Sequence, residues 1–183
     1  MSKNNSTTAE NKVVVKEETI SRTREITMTA LFIALTYVAT AFINVPSPTA
    51  NGGLVHLGNV PLFVAAALYG KRTGAFAGAF GMGLFDLLSG WTAWAPFTFV
   101  ICGCIGLAYG AVTYKKTNKF LLVVGVFVAA VIKVAGYYVA EGIIYGNWVA
   151  PVASIPGNLV QIGIGGVIAV PCIIALQKIL RRA

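Results

Sequence analysis

Two opposite charges lie inside long apolar runs of this sequence and are the residues best placed to do chemistry. Asp86 interrupts the segment GMGLFDLLSGWTAWAP, and Lys133 interrupts the segment FVAAVIKVAGYY. A charge in an apolar environment costs several kcal/mol unless it meets a partner or a polar cavity, which makes such residues functional candidates. Asp86 and Lys133 therefore either form a buried ion pair that fixes helix packing or bind a polar solute.

Further polar and aromatic side chains occur close to these two charges. Tyr137 and Glu141 follow Lys133 at spacings of four and eight, which keep the three residues on one broad helical face. Asn158 and Gln161 are three residues apart and share a side of the last apolar segment. The candidate solute-binding residues are His56, Asn59, Asp86, Trp91, Trp94, Lys133, Tyr137, Glu141, Asn158 and Gln161.

The residues needed for catalysis are missing from the sequence. It has no Walker A lysine motif, no spacing typical of metal ligands, and no serine or cysteine nucleophile with a base beside it. Cys102, Cys104 and Cys172 all occur in apolar segments, where small apolar packing is the better interpretation. We therefore expect neither an enzyme nor a metal or cofactor in this chain.

The composition predicts that these residues are positioned by membrane-spanning helices. Hydrophobic residues make up 57% of the 183 residues and charged residues only 11%, whereas soluble domains carry about 25% charged residues. No period-two alternation typical of a barrel is present. The prediction is an all-α membrane protein with six transmembrane helices, at about 25–44, 60–69, 73–88, 97–114, 120–141 and 157–180.

The basic residues predict the orientation of these helices. Thirteen of the fourteen Lys and Arg residues fall before the first helix, in two of the connections, and at the chain end, and six crossings place these clusters on one face. The positive-inside rule then puts both termini in the cytoplasm. The net charge of +8 is thus a matter of topology and of contact with anionic lipid, not of nucleic-acid binding. Residues 1–22 are predicted to form a cytoplasmic tail and residues 23–183 a single six-helix domain.

The candidate residues are predicted to lie in the outer half of the membrane. Asp86 and Lys133 each lie about thirteen residues from the inner start of their helix, which corresponds to about 20 Å at 1.5 Å per residue. Trp91, Trp94 and Trp148 all fall on the outer side, as an interfacial belt or as the wall of a pocket that opens outward. The second helix is short, so the connection at 46–58 is either a lid that dips into the protein or an ordinary outer loop.

Small residues four apart occur toward the inner half and allow close helix approach. Most such steps pack helices within one chain, as expected for the glycine steps in the third and fourth helices. The step formed by Ala30 and Ala34 in the first helix is the best candidate for contact with a partner protein.

With these features, the sequence resembles the substrate-binding S component of energy-coupling factor (ECF) vitamin transporters. The resemblance covers about residues 23–180 and is carried by the alanine step and by three stretches: NGGLVHLGNVPLFVAAALYGKRTGA, DLLSGWTAWAPFTF and SIPGNLVQIGIGGVIAVP. It is strongest toward the branch that takes up hydroxymethylpyrimidine, a thiamine precursor. Branches for pyridoxine and pantothenate remain alternatives.

The resemblance implies a mechanism. An S component of a bacterial plasma membrane captures a vitamin from outside and docks through its first helix on a transmembrane coupling (T) component. Two partner ATPases use ATP, and the S component topples to carry its ligand inward. A flat heteroaromatic ring with ring nitrogens, an amine and a hydroxyl suits the predicted set of Trp, Asn, Gln, Asp and His side chains.

Three other functions are weighed against this one. A stand-alone facilitator would need polar residues along a whole transverse path, and here they are confined to one half. An intramembrane enzyme would need a nucleophile with its base, or metal ligands. A purely structural subunit would not need the outer polar cluster.

Overall fold

The computed structural model describes residues 3–46, 54–116 and 118–180, and the side chains of residues 3–20 lie outside that description. Its helices, with the two strands and one 3-10 turn between them, are α1 (Lys3–Phe42), β1 (Asn44–Pro46), β2 (Leu54–His56), α2 (Asn59–Tyr69), α3 (Lys71–Leu88), α4 (Ala95–Thr113), α5 (Lys119–Tyr145), a 3-10 turn (Ala150–Ser154) and α6 (Ile155–Leu180).

The mostly helical prediction is confirmed, with several changes at the helix ends. Helix α5 continues to Tyr145, and α1 runs without a break from Lys3, so no helix start marks the predicted boundary at residue 22. That boundary stays a prediction. The all-α prediction also missed the pairing of β1 with β2, in which Val45 lies opposite Val55.

Within the described part of the chain, four segments are long and apolar enough to cross a membrane: Ser21–Phe42, Ala95–Thr113, Lys119–Tyr145 and Ala150–Leu180. Helix α2 has only 11 residues, about 16 Å at 1.5 Å per residue. Helix α3 has 18 residues but carries Lys71, Arg72 and Asp86. Six crossings and cytoplasmic termini therefore stay predictions.

The short helix α2 lies at the centre of the bundle. It packs against α1, α3, α4 and α6, and its side chains from Leu62 to Ala67 are buried. One residue, Gly70, joins α2 to α3 at a φ of 101°. This backbone conformation is readily available only to glycine, so the turn between the two helices depends on that residue type.

Glycines bring α3 and α4 into backbone contact. A Cβ atom at Gly106 would lie 2.2 Å from the carbonyl oxygen of Gly74, and one at Gly78 would lie 2.4 Å from that of Cys102. Such separations are far below van der Waals contact, so only glycine permits this approach. These glycine steps therefore pack helices within the chain.

The alanine step of α1 faces the other way. Ala30 and Ala34 are exposed, and so are their apolar neighbours Leu31, Leu35 and Val38. This surface is available to lipid or to another protein.

The ribbon of β1 and β2 covers one end of the bundle. The Asn44 side chain ends α1 by donating to the carbonyl oxygens of Thr40 and Ala41, at 2.9 and 2.8 Å. Strand β2 then leads into α2 and contacts α6. Of the predicted lid at 46–58, residues 47–53 lie outside the described residues, so the lid stays a prediction.

Candidate functional site

A cavity of about 100 Å³ lies beneath β2, at the end of the bundle where α3 and α5 end and α4 and α6 begin. Its wall combines carboxylates, amides, an ammonium, an imidazole and aromatic rings. The lining residues are Leu54, Val55, His56, Phe85, Asp86, Trp91, Trp94, Lys133, Tyr137, Glu141, Ser154, Gly157, Asn158 and Gln161.

Nine of the ten sequence-predicted site residues line this cavity. They come from the ribbon, from α3 and the connection that follows it, from α5, and from α6. Sequence reasoning placed them at one level of the bundle, and the structure brings them together around one space. Their contact with a ligand stays a prediction.

Asn59 is the exception, because it does not line the described cavity. It is fully buried at the first residue of α2, but its side chain faces α6, where a Cβ atom at Gly165 would lie 2.8 Å from the Asn59 Cβ. Neither polar atom of its amide has a hydrogen-bond partner among the described residues. Asn59 packs α2 against α6, and its contact with a ligand stays a prediction.

Asp86 belongs to a hydrogen-bond network that crosses three helices. Thr98 of α4 donates its hydroxyl to Asp86 Oδ2 of α3 at 2.5 Å. The Thr98 Oγ1 in turn lies 3.0 Å from the Tyr137 hydroxyl of α5. Because a threonine hydroxyl carries one proton, Tyr137 must donate to Thr98. Helix α4 packs against both α3 and α5. Its Thr98 therefore links Asp86 on α3 to Tyr137 on α5, whose ring contacts Lys133.

Lys133 is buried, with 1% of its surface exposed. Its Nζ lies 4.9 Å from the centroid of the Tyr137 ring, a cation–π contact. Among the described residues it forms no hydrogen bond or ion pair, with Asp86 or with any other acid. The buried ion pair weighed as an alternative is therefore not formed.

Glu141 connects α5 to the segment that precedes α6. Ser154, the last residue of the 3-10 turn, donates its hydroxyl to Glu141 Oε2 at 2.5 Å. Asn158 donates in turn to the Ser154 carbonyl oxygen at 3.2 Å. One turn further along α6, Gln161 is 4% exposed, and its Nε2 has no partner among the described residues.

The tryptophans divide into two groups. Trp91 and Trp94 line the cavity with their rings edge to face, 5.3 Å between centroids, and Trp94 also meets Tyr145 at 6.1 Å. Trp148 is 55% exposed and packs on Tyr138, outside the cavity wall. The aromatic wall therefore consists of the two tryptophans in the connection between α3 and α4.

The chain matches the family model described as ECF-type riboflavin transporter, S component, over residues 20–178. It belongs to the S components of ECF-type transporters. The resemblance found in the sequence is therefore confirmed, and the protein is a membrane transport component for vitamins rather than an enzyme.

The chain is also similar to two individual proteins. The S component is 33% identical over 146 residues to the thiamine precursor transporter HmpT of Lactococcus lactis subsp. cremoris (strain MG1363), covering 80% of this chain and 83% of the relative. It is 32% identical over 131 residues to an uncharacterized protein of Pyrococcus woesei, covering 72% of this chain and 86% of that one.

A solved structure shows the same fold. The crystal structure of FolT bound with folic acid matches with a TM-score of 0.65 at 19% identity, and the match covers 84% of this S component and 92% of FolT.

His56 of the S component is held in a neutral form by its surroundings. The Gly58 N–H donates to His56 Nδ1 at 3.2 Å, which requires that nitrogen to be unprotonated. Loss of solvent on burial, and secondarily the charge of Lys133, lower the pKa of His56 to about 3. The remaining ring N–H, on Nε2, is then the group with which His56 can donate to a ligand.

Sequence reasoning missed the two hydroxyls that hold the carboxylates. Thr98 follows Asp86 by 12 residues and Ser154 follows Glu141 by 13. In each case the acid lies toward the end of one helix, and the hydroxyl lies near the start of the next. A serine or threonine just across a helix connection from a buried acid was the signal that could have identified them.

Metal binding has no support in this site. Among the described residues, no group of three or more His, Cys, Asp or Glu side chains could hold a metal ion.

Proposed function

We propose that this S component binds hydroxymethylpyrimidine with high affinity. The observation that carries the proposal is the small cavity, which combines two tryptophans with hydrogen-bonding groups on several sides. One aminopyrimidine ring with a hydroxymethyl group offers a flat surface for stacking as well as donors and acceptors. The identity of 33% to a thiamine precursor transporter supports the same ligand.

The cavity volume favours a ligand with one ring. One water molecule requires about 10–15 Å³ by this measure, so a cavity of about 100 Å³ suits a solute of several heavy atoms. Riboflavin, with three fused rings and a sugar-like chain, and folate are much larger. The volume is thus compatible with a one-ring ligand such as a thiamine precursor.

The proposal includes an ATP-driven assembly in a bacterial plasma membrane. A T component and two ATPase subunits would be the partners, with ATP used by the ATPases and no cofactor in this chain. The exposed step of Ala30 and Ala34 is the proposed docking surface for the T component. Both termini would be cytoplasmic, because the described basic clusters at the helix ends remote from the cavity are exposed.

Two alternatives concern the ligand and the transport mode. Pyridoxine also has a single ring with hydroxyl groups and would fit the aromatic wall, whereas pantothenate lacks a ring to stack. A stand-alone facilitator would need a polar path across the bundle. Among the described residues, the buried polar side chains beyond the cavity are Asn59 and several threonines, with no charged group.

Tryptophan fluorescence tests the ligand directly. The purified protein is titrated with hydroxymethylpyrimidine, pyridoxine, pantothenate, riboflavin, folate and thiamine in a Trp148→Phe background, so that the signal comes from Trp91 and Trp94. We expect the tightest binding for hydroxymethylpyrimidine. A tighter response to another vitamin would overturn the ligand assignment.

Reconstitution in vesicles tests the transport mode. The chain alone should bind ligand without net flux, and flux should require the coupling partners and ATP. ATP-independent flux by the chain alone would identify a facilitator.

A further inference from the structure

The cavity wall contains a cation, Lys133, that forms no direct ion pair with any of the described residues. Lys133 is almost completely buried, and the contact it makes is with the face of the Tyr137 ring. A buried ammonium without hydrogen-bond acceptors is costly, and Lys carries three donors and no acceptor. Since Lys133 lines the cavity, a bound ligand is the group in position to satisfy it.

The two carboxylates of the wall are each half satisfied. Thr98 occupies one oxygen of Asp86, and Ser154 occupies one oxygen of Glu141. Asp86 Oδ1 and Glu141 Oε1 accept no hydrogen bond from the described residues. An ionised carboxylate only accepts hydrogen bonds, so these two oxygens call for N–H or O–H groups on the ligand.

Tyr137 connects the Lys133 ammonium to Asp86 by way of Thr98. Its hydroxyl is committed to Thr98, which donates to Asp86, and its ring face supports Lys133 Nζ. The ring orientation that supports Lys133 is therefore fixed by the same hydrogen bonds that orient Asp86. Tyr137 acts as a positioning residue for both groups.

We propose that Lys133 determines specificity by donating to an uncharged ring nitrogen of the ligand, while Asp86 and Glu141 accept from its amine and hydroxyl groups. This assignment rests on the proposed function and adds which group donates and which group accepts in each hydrogen bond. Gln161 Nε2 also has no partner among the residues that the structure describes, but a charge-assisted bond from an ammonium is stronger than one from an amide. Lys133 therefore discriminates a ring nitrogen from a ring C–H.

The formal charge of the cavity wall also favours an uncharged heterocyclic ligand. Two carboxylates and one ammonium give a net charge of −1 around the cavity, with His56 neutral. An anionic ligand would meet net repulsion in a site of low dielectric constant. Neutral heterocycles are favoured over carboxylate-bearing or phosphorylated ones.

The test combines a variant with ligand analogues. Lys133→Met introduces an apolar side chain of similar length and removes the N–H donors of the ammonium. Affinities are measured for hydroxymethylpyrimidine and for two analogues in which one or the other ring nitrogen is replaced by C–H. We expect Lys133→Met to lower affinity for hydroxymethylpyrimidine about thirtyfold, or about 2 kcal/mol. One analogue should bind the wild type about thirtyfold more weakly and be almost insensitive to Lys133→Met.

Controls separate this assignment from folding and from the proposed function. Replacing a buried charge by an apolar group is often neutral or stabilising, and the thermal midpoint without ligand checks this. Lys178→Met, at an exposed lysine of α6, should leave all affinities unchanged. If Lys133→Met lowers affinity equally for all three ligands, or for none, the Lys133 assignment is wrong although the proposed function stands. If the wild type does not bind hydroxymethylpyrimidine, both are wrong.

Discussion

The two ends of the helical bundle treat polar groups in opposite ways. At the end remote from the cavity, the described basic residues are exposed. They include Lys71 and Arg72, at the start of α3, and Lys115, which follows α4. At the cavity end, Lys133 is buried, and Gln161 has an amide nitrogen without a partner. The remote end satisfies its charges with water, whereas the cavity end keeps donors and acceptors available for a ligand.

The two ends of the bundle also differ in how α3 and α4 meet. Backbone meets backbone between α3 and α4 through Gly74 and Gly106 at the remote end. At the cavity end the same two helices are joined by a connection that carries Trp91 and Trp94, which line the cavity. Tyr109 is an exception at the remote end, because its buried hydroxyl has no partner among the described residues. The comparison implies that substitutions at the remote end change stability and those at the cavity end change affinity.

The largest expected effect is on stability. Gly106→Ala places a Cβ atom 2.2 Å from the carbonyl oxygen of Gly74, and backbone atoms cannot move aside cheaply. We expect a loss of about 3 kcal/mol in the free energy of unfolding, measured by denaturation in detergent. Ligand affinity of the folded fraction should change less than twofold, about 0.4 kcal/mol.

Gly103→Ala in the same helix is the matched control, because its Cβ atom would meet Ala79 Cβ at an ordinary 3.5 Å. This variant should be as stable as the wild type or slightly more so. Equal losses in both variants would contradict the packing role of Gly106.

The next effect is on affinity. Asp86→Asn keeps the shape of the side chain and an acceptor for Thr98 but replaces the other carboxylate oxygen by an N–H donor. We expect binding of hydroxymethylpyrimidine to weaken at least tenfold, about 1.4 kcal/mol, with little change in the thermal midpoint. Unchanged affinity in the folded variant would falsify the role of Asp86 in binding.

A smaller effect is expected from the hydroxyl that orients Asp86. Thr98→Val removes the bond to Asp86 and the acceptor for Tyr137. Affinity should fall about fivefold, roughly 1 kcal/mol, while Thr98→Ser should retain it. A loss in Thr98→Ser as large as in Thr98→Val would show that the methyl group, and not the hydroxyl, is important.

The smallest expected effect is on the pH dependence of stability, through His56 in strand β2 of the ribbon. The folded state holds the pKa of His56 near 3, below the ordinary value of 6.5, so the neutral form is favoured by folding. This stabilisation is complete above pH 6.5 and is lost as the pH falls toward 3. At pH 6 the loss should be under about 1 kcal/mol. His56→Asn keeps an acceptor for the Gly58 N–H but does not titrate.

The thermal midpoint should therefore fall less between pH 7 and pH 6 in His56→Asn than in the wild type. Parallel curves for the two proteins would show that His56 does not contribute to the pH dependence.

The level of the site could be predicted from the sequence, because helical rise is constant. Counting residues from the helix starts placed Asp86 and Lys133 at one depth, and the structure finds both on one cavity. The direction of a side chain around its helix depends on packing instead. Asn59 lies at the same end of the bundle but faces the gap left by Gly165, and no periodicity of α2 indicated this.

The partners of the carboxylates were also beyond sequence reasoning. Thr98 and Ser154 were not among the predicted site residues, because the geometry of a connection decides which hydroxyl reaches back to the preceding helix. The ribbon escaped prediction because strands of three residues carry too little alternation to be detected.

The shortness of α2 has a consequence for how ligand size is set. Helix α5 has 27 residues and extends about 40 Å, whereas the 11 residues of α2 extend about 16 Å. Because α2 is enclosed by its neighbours, its limited length causes no hydrophobic mismatch with the bilayer. The cavity occupies the space along the bundle axis that α2 would fill if it had the full length of its neighbours. An insertion of one helical turn at the start of α2, about 5.4 Å, would shrink it without altering any contact with lipid.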